Sequence, residues 1–249
     1  DELCSSLGPA DWEAETDCPG WSVKDNLSHI VGTESMLLGR QAPDHDPGPK
    51  PWVHNPVGTN NEVQVDYRRS WPAEKVLEEF REVTGERMKA LRAMSEAELD
   101  AESWTPIGQG TVRDLVAIRV MDCWVHEQDM RRATSKPGSL DGPVAEHAFA
   151  RHSTALPFVV GKKVGPPEGT SVVFDVKGFG AVAVGTDGKR ARSLDAVPGD
   201  PTVKLTMDLE TFSRLCTGRG DAAALADQVT IEGDEALGRK IVGEMNFMI

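Results

Sequence analysis

Apolar residues recur at helical spacing through roughly the first 160 residues, then give way to strand-like alternation after Lys162. Val23, Leu27, Ile30, Val31 and Leu38 mark one face of a helix expected over Ser22–Arg40. Pro72 suits a first-turn position, and Val76, Leu77, Phe80, Val83, Met88 and Leu91 carry a helix from Ala73 to Met94. A third helix is expected from Val112 to Arg132, with Leu115, Ile118 and Trp124 turned inward. Residues 42–61 are rich in Pro, Gly and Asn and predict a loop, followed by a short helix over Glu62–Arg69. Gly142–Val160 is a further helical stretch, interrupted at Pro157.

Gly165-Pro166-Pro167-Glu168-Gly169 is a linker signal. Beyond it, Ser171–Val176 and Ala181–Val184 predict strands, Gly185-Thr186-Asp187-Gly188 a hairpin turn, and Thr202–Met207 a half-buried strand. Leu209–Cys216 is a short helix stopped by Gly218, and Asp221–Asp227 another. Gln228–Glu232 predicts a brief strand and Asp234–Met245 a last helix. The expected fold class is α+β, with an all-helical domain over residues 1–162 and a small α+β domain over 163–249.

Composition narrows the function. The 249-residue chain is 39% hydrophobic and 27% charged, as expected of a globular protein. A net charge of −13 argues against nucleic acid or an anionic membrane as partner, because phosphate binding needs clustered Lys and Arg. No apolar run approaches the roughly 20 residues of a membrane span, and no signal-peptide pattern opens the chain. Cys4, Cys18, Cys123 and Cys216 share no CxxC spacing, so a disulfide framework or zinc ribbon is not expected, and a reducing cytoplasm is.

The candidate chemistry lies on two of the helices. Each opens on a capping box, Ser22 with Asp25 and Thr111 with Asp114, Asp standing in for the usual Glu. Asp122 and His126 are four apart, so both side chains leave one helix face. With His29 from the first helix they make an N/N/O set that can hold a zinc-like ion and leave a position open. Whether the two helices meet is a tertiary question. Asp129, seven residues past Asp122, is placed either to accept a hydrogen bond from a ligating imidazole or to pair with Arg131 or Arg132. Cys123 points about 100° away from its neighbouring ligand and is expected to pack. His45 and His54 are expected to be solvated, with a loop ligand at His54 the alternative; His147 and His152 have no assigned role, and Trp21, Trp104 and Trp124 are expected in the core.

The stretches Pro19-Gly20-Trp21-Ser22-Val23-Lys24-Asp25-Asn26-Leu27-Ser28-His29 and Trp124-Val125-His126-Glu127-Gln128-Asp129 resemble the mycothiol-dependent maleylpyruvate isomerase-like enzymes. Gly199-Asp200-Pro201, Thr217-Gly218-Arg219-Gly220-Asp221 and Ile231-Glu232-Gly233-Asp234 resemble their smaller domain, so the likeness covers nearly the whole chain. The resemblance implies a DinB-like up-down helical bundle followed by a sterol-carrier-like α+β domain. It also implies a divalent metal, taken as zinc, held at positions that here are His29, Asp122 and His126. The isomerase pattern has Glu where this chain has Asp122, and DinB-like relatives have His there, so metal identity and reaction stay open. Only a stub precedes Trp12, where the family carries a full first helix, so that helix is expected to be missing or abbreviated.

A metal with an open position lowers the pKa of a bound thiol. The resemblance implies mycothiol, an actinobacterial cofactor, as that thiol. Its thiolate can add to an activated double bond and leave after rotation, or displace a leaving group. Arg219, in a Gly-rich turn, is the candidate catalytic residue, able to hold a substrate or thiol carboxylate bidentately; a solvated role is the alternative. The expected function is thus metal- and thiol-dependent isomerisation or S-transfer on a small electrophile. The alternative is a non-catalytic small-molecule- or metal-binding module with a sterol-carrier-like domain. A zinc-bound sigma-factor partner is less favoured, since His-x3-Cys-x2-Cys is absent. Oligomeric state is left open.

Overall fold

The computed structural model describes residues 1–248 and divides into two compact units, Asp1–Gly138 and Ser139–Ile249. In the first unit, α1 (Glu2–Ser5) and α2 (Pro9–Trp12) are single turns, and α3 spans Val23–Leu37. Then come α4 (Pro56–Arg68), α5 (Ala73–Ala93), a one-turn α6 (Glu96–Leu99) and a hairpin of β1 (Glu102–Thr105) and β2 (Gly108–Thr111). The long α7 (Val112–Ala133) ends the regular structure of this unit. Helix α3 is central, packing on α4, α5 and α7. Its buried Val23 and Leu27 share a core with Leu3, Trp12, Val76, Leu77 and Met130. No described helix is long and apolar enough to cross a membrane.

Both expected capping boxes form. Ser22 Oγ accepts from Asp25 N at 3.2 Å while Asp25 Oδ2 accepts from Ser22 N at 3.1 Å. Thr111 and Asp114 repeat the exchange at 3.1 and 3.0 Å. Helix α4 and the β1–β2 hairpin differ from expectation. Helix α4 starts at Pro56, inside the expected loop, because Asn55 caps it (Oδ1 accepting from Gly58 N, 2.9 Å) and Pro56 needs no partner at the first position. The β1–β2 hairpin was not anticipated; it leaves Trp104 58% exposed, so this Trp is not a core residue.

The α3–α4 contact is set by one glycine. A Cβ on Gly32 would lie 2.4 Å from Gln64 Cβ, and Gln64 is buried. Gly32→Ala is therefore expected to cost about 1–3 kcal/mol, measured by urea denaturation. Unchanged stability would mean that α4 shifts freely.

The second unit begins earlier than the expected 162/163 division. Helix α8 (Gly142–Ser153) packs on α10 (Leu209–Thr217) within it, through Phe149 and Phe212 at a ring-centroid distance of 5.6 Å. After α8, α9 (Leu156–Phe158) runs into a π-helical turn over Val159–Val164. The sheet comprises β3 (Ser171–Val176), β4 (Gly180–Thr186), β5 (Ala191–Ser193), β6 (Val203–Met207) and β7 (Thr230–Gly233), in the order β5-β4-β3-β6-β7. Only the β3–β6 pair is parallel among these. Strand β3 buries Val172, Val173, Phe174 and Val176, as a central strand covered on both faces does. Helices α11 (Ala222–Ala226) and α12 (Glu235–Gly243) complete the unit, α12 lying on β6 and β7. The α+β expectation holds.

His152, given no role by the sequence, is fully buried in this unit, with Nε2 3.1 Å from Ser213 Oγ. Burial, then the nearby Arg219 and Arg151 charges, push its pKa from 6.5 down to about 3. The unfolded chain thus takes up this proton first, and stability falls as pH drops below 6.5 towards 3. At pH 5 the loss is roughly 2 kcal/mol. His152→Gln is expected to remove that part of the difference between urea curves at pH 7 and pH 5.

Candidate metal centre

Helices α3 and α7 meet, and their packing brings His29, Asp122 and His126 together. The donor atoms of the three lie within 4.8 Å of one another. His29 Nε2 is 3.2 Å from Asp122 Oδ2, and His126 Nε2 is 3.7 Å from Asp122 Oδ1. The two imidazoles contact edge to face with centroids 4.7 Å apart. Both are nearly buried, while the Asp122 side chain keeps 18% of its exposure.

This donor set fits a zinc-like ion. Zinc takes imidazole nitrogen and carboxylate oxygen as ligands, and here the two separations above run to different oxygens of Asp122, Oδ2 and Oδ1. His29 Nδ1 is also a buried ring nitrogen without a hydrogen-bond partner.

The surroundings were largely invisible in the sequence. Arg119, one turn before Asp122 on α7, ion-pairs through Nη1 with Asp122 Oδ2, and its Nε donates to Glu34 Oε1 at 2.8 Å. Arg87 holds the other oxygen of Glu34 at 3.2 Å. Burial would raise the Asp122 carboxyl, but Arg119, then His126 and His29, hold it well below the usual 3.8. Burial pushes His29 from 6.5 down to about 4 against the pull of Asp122, so its imidazole is neutral near pH 7. Cys123 is pushed up to about 12, chiefly by burial, and its Sγ accepts from Arg119 Nη2 at 3.6 Å.

Trp21 covers both imidazoles, at 5.2 Å from His29 and 5.7 Å from His126. Its Nε1 donates to Glu62 Oε1 at 2.5 Å, and Trp52 Nε1 donates to the same oxygen at 2.8 Å. The Pro-rich loop is thereby tied down beside Trp21. A Cβ on Gly20, where φ is +73°, would fall 2.5 Å from the Trp52 ring, so the loop's indole needs glycine there. His45 is not simply solvated, because its Nε2 pairs with Asp66 Oδ2 at 2.7 Å.

Around His126, Asn26 Oδ1 lies 2.7 Å from Nδ1 and Asp129 Oδ2 3.4 Å from it. Asp129 Oδ1 also accepts from Arg132 at 2.5 Å, which is the expected pairing of Asp129 with an arginine. Cys18 Sγ stands within 4.8 Å of donor atoms of His126 and Asp129. Arg219 belongs to the second unit, where its Nη1 donates to Thr217 O at 3.0 Å.

The sequence profile of the mycothiol maleylpyruvate isomerase N-terminal domain matches residues 1–131, and that of the corresponding C-terminal domain matches residues 146–239. Among solved structures, the mycothiol-dependent maleylpyruvate isomerase superposes with a TM-score of 0.58 at 17% identity, over 93% of this chain and 86% of that one. A point mutant of that enzyme gives 0.57 over the same shares. A UbiJ-SCP2 ubiquinone synthesis protein covers 41% of this chain and 94% of its own at a TM-score of 0.29, too low to argue fold. No curated protein matches in sequence. At such identity the solved structures speak for the fold, and the two profiles speak for the family: the chain belongs to the mycothiol maleylpyruvate isomerase family.

Proposed function

We propose that this protein is a metal-dependent enzyme that uses a low-molecular-weight thiol, mycothiol, for isomerisation or S-transfer on a small electrophilic substrate. The observation that carries the reading is the convergence of His29, Asp122 and His126 beneath Trp21. These three residues would hold a divalent ion, zinc by the chemistry of the set, which would lower the pKa of a bound thiol. His29 brings a neutral imidazole and Asp122 an ionised carboxylate at neutral pH. Trp21 shields one side of both imidazoles from water. Arg219, in the second unit, is the candidate to hold a carboxylate by a bidentate contact. The electrophile selects the outcome: an activated cis double bond returns as its trans isomer, whereas a substrate with a leaving group keeps the sulfur.

The test is turnover of maleylpyruvate, and of a panel of electrophiles, by zinc-loaded protein with and without mycothiol. Thiol-dependent turnover that stops on chelation supports the proposal. No turnover, together with no zinc uptake, overturns it.

A second reading, a non-catalytic binding module, draws on the Arg119–Asp122 pair, since a guanidinium already neutralises that carboxylate. Metal content separates the enzyme from a small-molecule-binding module, and thiol-dependent turnover separates it from a metal-binding one.

A further inference from the structure

We infer that Asn26 is a positioning residue that holds the His126 proton on Nδ1 and so turns the Nε2 lone pair towards Asp122 and His29. The inference deepens the proposed metal site and rests on that reading for its consequence, but not for its geometry.

An imidazole contact does not reveal its own tautomer, and an amide does not reveal which end is oxygen. Here the neighbours decide both. Asn26 Nδ2 lies 2.9 Å from Ser22 O and 3.0 Å from Thr16 Oγ1. A carbonyl only accepts, so the atom facing Ser22 O is the NH2 nitrogen, and a flipped amide would set oxygen against oxygen. Thr16 has a single hydroxyl proton, which it gives to Trp21 O at 2.9 Å. Its oxygen therefore accepts, from Cys18 N at 3.2 Å and from Asn26 Nδ2. Both amide protons of Asn26 are thus committed, and Oδ1 is left to face His126 Nδ1 at 2.7 Å. At that distance His126 must be the donor.

The chain of bonds starts on two backbone carbonyls and ends at the imidazole, with one direction throughout. Asn26 is fully buried, so water offers no alternative partner. Asp129 Oδ2, at 3.4 Å, is the weaker acceptor for the same proton. An outer partner of this kind fixes the ring orientation and tautomer of a metal-ligating histidine.

Asn26→Leu is a clean removal. Ser22 O keeps its bond from the backbone N of residue 26 at 3.0 Å, and Thr16 keeps its contacts to Trp21 O and Cys18 N. Asn26→Asp keeps an acceptor for Nδ1 but sets its other oxygen against Ser22 O, so it reports on the tautomer and not on stability or affinity. The experiment combines long-range proton–nitrogen NMR of the metal-free full chain with zinc affinity by chelator competition. His126→Gln assigns the His126 signals among the six histidines.

In the wild type, His126 is expected as the Nδ1–H tautomer; in Asn26→Leu, as a mixture, with zinc binding weakened about 10- to 100-fold. Asn26→Asp is expected to keep the Nδ1–H tautomer, because an acceptor still faces that nitrogen. A wild-type His126 protonated on Nε2 overturns the inference, and so does an Asn26→Leu protein with unchanged tautomer and affinity. Should Asn26→Leu not fold, the wild-type spectrum alone decides. Wild-type protein that takes up no zinc yet shows the Nδ1–H tautomer overturns the metal reading and leaves the assignment of Asn26 standing.

Discussion

Replacing His126 with alanine is expected to abolish stoichiometric zinc binding, with affinity falling more than the roughly 10- to 100-fold that loss of an outer-shell partner costs. The expectation follows from the geometry of α3 and α7. His126 stands opposite both other donors, 3.7 Å from Asp122 Oδ1 and in ring contact with His29. Without it the site retains one imidazole and a carboxylate already paired with Arg119. His29→Ala should behave alike, since its ring nitrogen is the only other imidazole donor of the set. His54→Ala is the control, because this exposed loop histidine lies outside both donor groups. Elemental analysis of untagged protein, dialysed against zinc and then buffer, reads the result. About one ion per chain in the wild type and in His54→Ala, but none in the other two variants, is the predicted pattern. Retention of zinc by His126→Ala would move the ion elsewhere.

Arg119→Met is expected to destabilise the metal-free protein by about 3 kcal/mol, the lower end for breaking a buried ion pair. Arg119 bridges Asp122 and Glu34, and its own side chain is only 11% exposed. Removing it leaves Asp122 as a largely enclosed carboxylate beside the neutral imidazole of His29. Glu34 suffers less, because Arg87 still reaches its other oxygen at 3.2 Å. The effect of zinc should run the other way. An ion and a guanidinium compete for the same carboxylate, so saturating zinc should stabilise Arg119→Met more than the wild type. Urea denaturation with and without zinc measures both effects. Equal stability of the two proteins without metal would show that the pair contributes little, and equal gains from zinc would show that the two cations do not compete.

The contrast between these residues shows what could be read along the chain. Asp122 and His126 share a face because four residues make about one helical turn, a relation that holds on any helix. The capping boxes at Ser22 and Thr111 are equally local and gave the starts of α3 and α7 directly. Arg119 lies three residues before Asp122, within the same local reach, yet one arginine among many near an acid carries no distinguishing signal. Asn26 lies three residues before His29, but its partner is His126, one hundred positions away. No spacing rule announces such a bond. The Asn55-Pro56 start of α4 was a legible signal hidden inside a segment whose composition suggested loop. Trp52 in that same segment reaches Glu62 and lies over Gly20, contacts that composition does not encode.

By itself, then, the sequence determined the helix and strand periods, the caps, the α+β class and the three donor types, since each depends on neighbours within a turn or a pleat. The tertiary structure alone decided that α3 and α7 meet at these residues and that Arg119 occupies Asp122. It alone decided that Trp21 roofs the imidazoles and that α8 packs with the second unit. Those outcomes depend on contacts between segments far apart in the chain, where side-chain shape and the need to satisfy buried polar groups choose the partner.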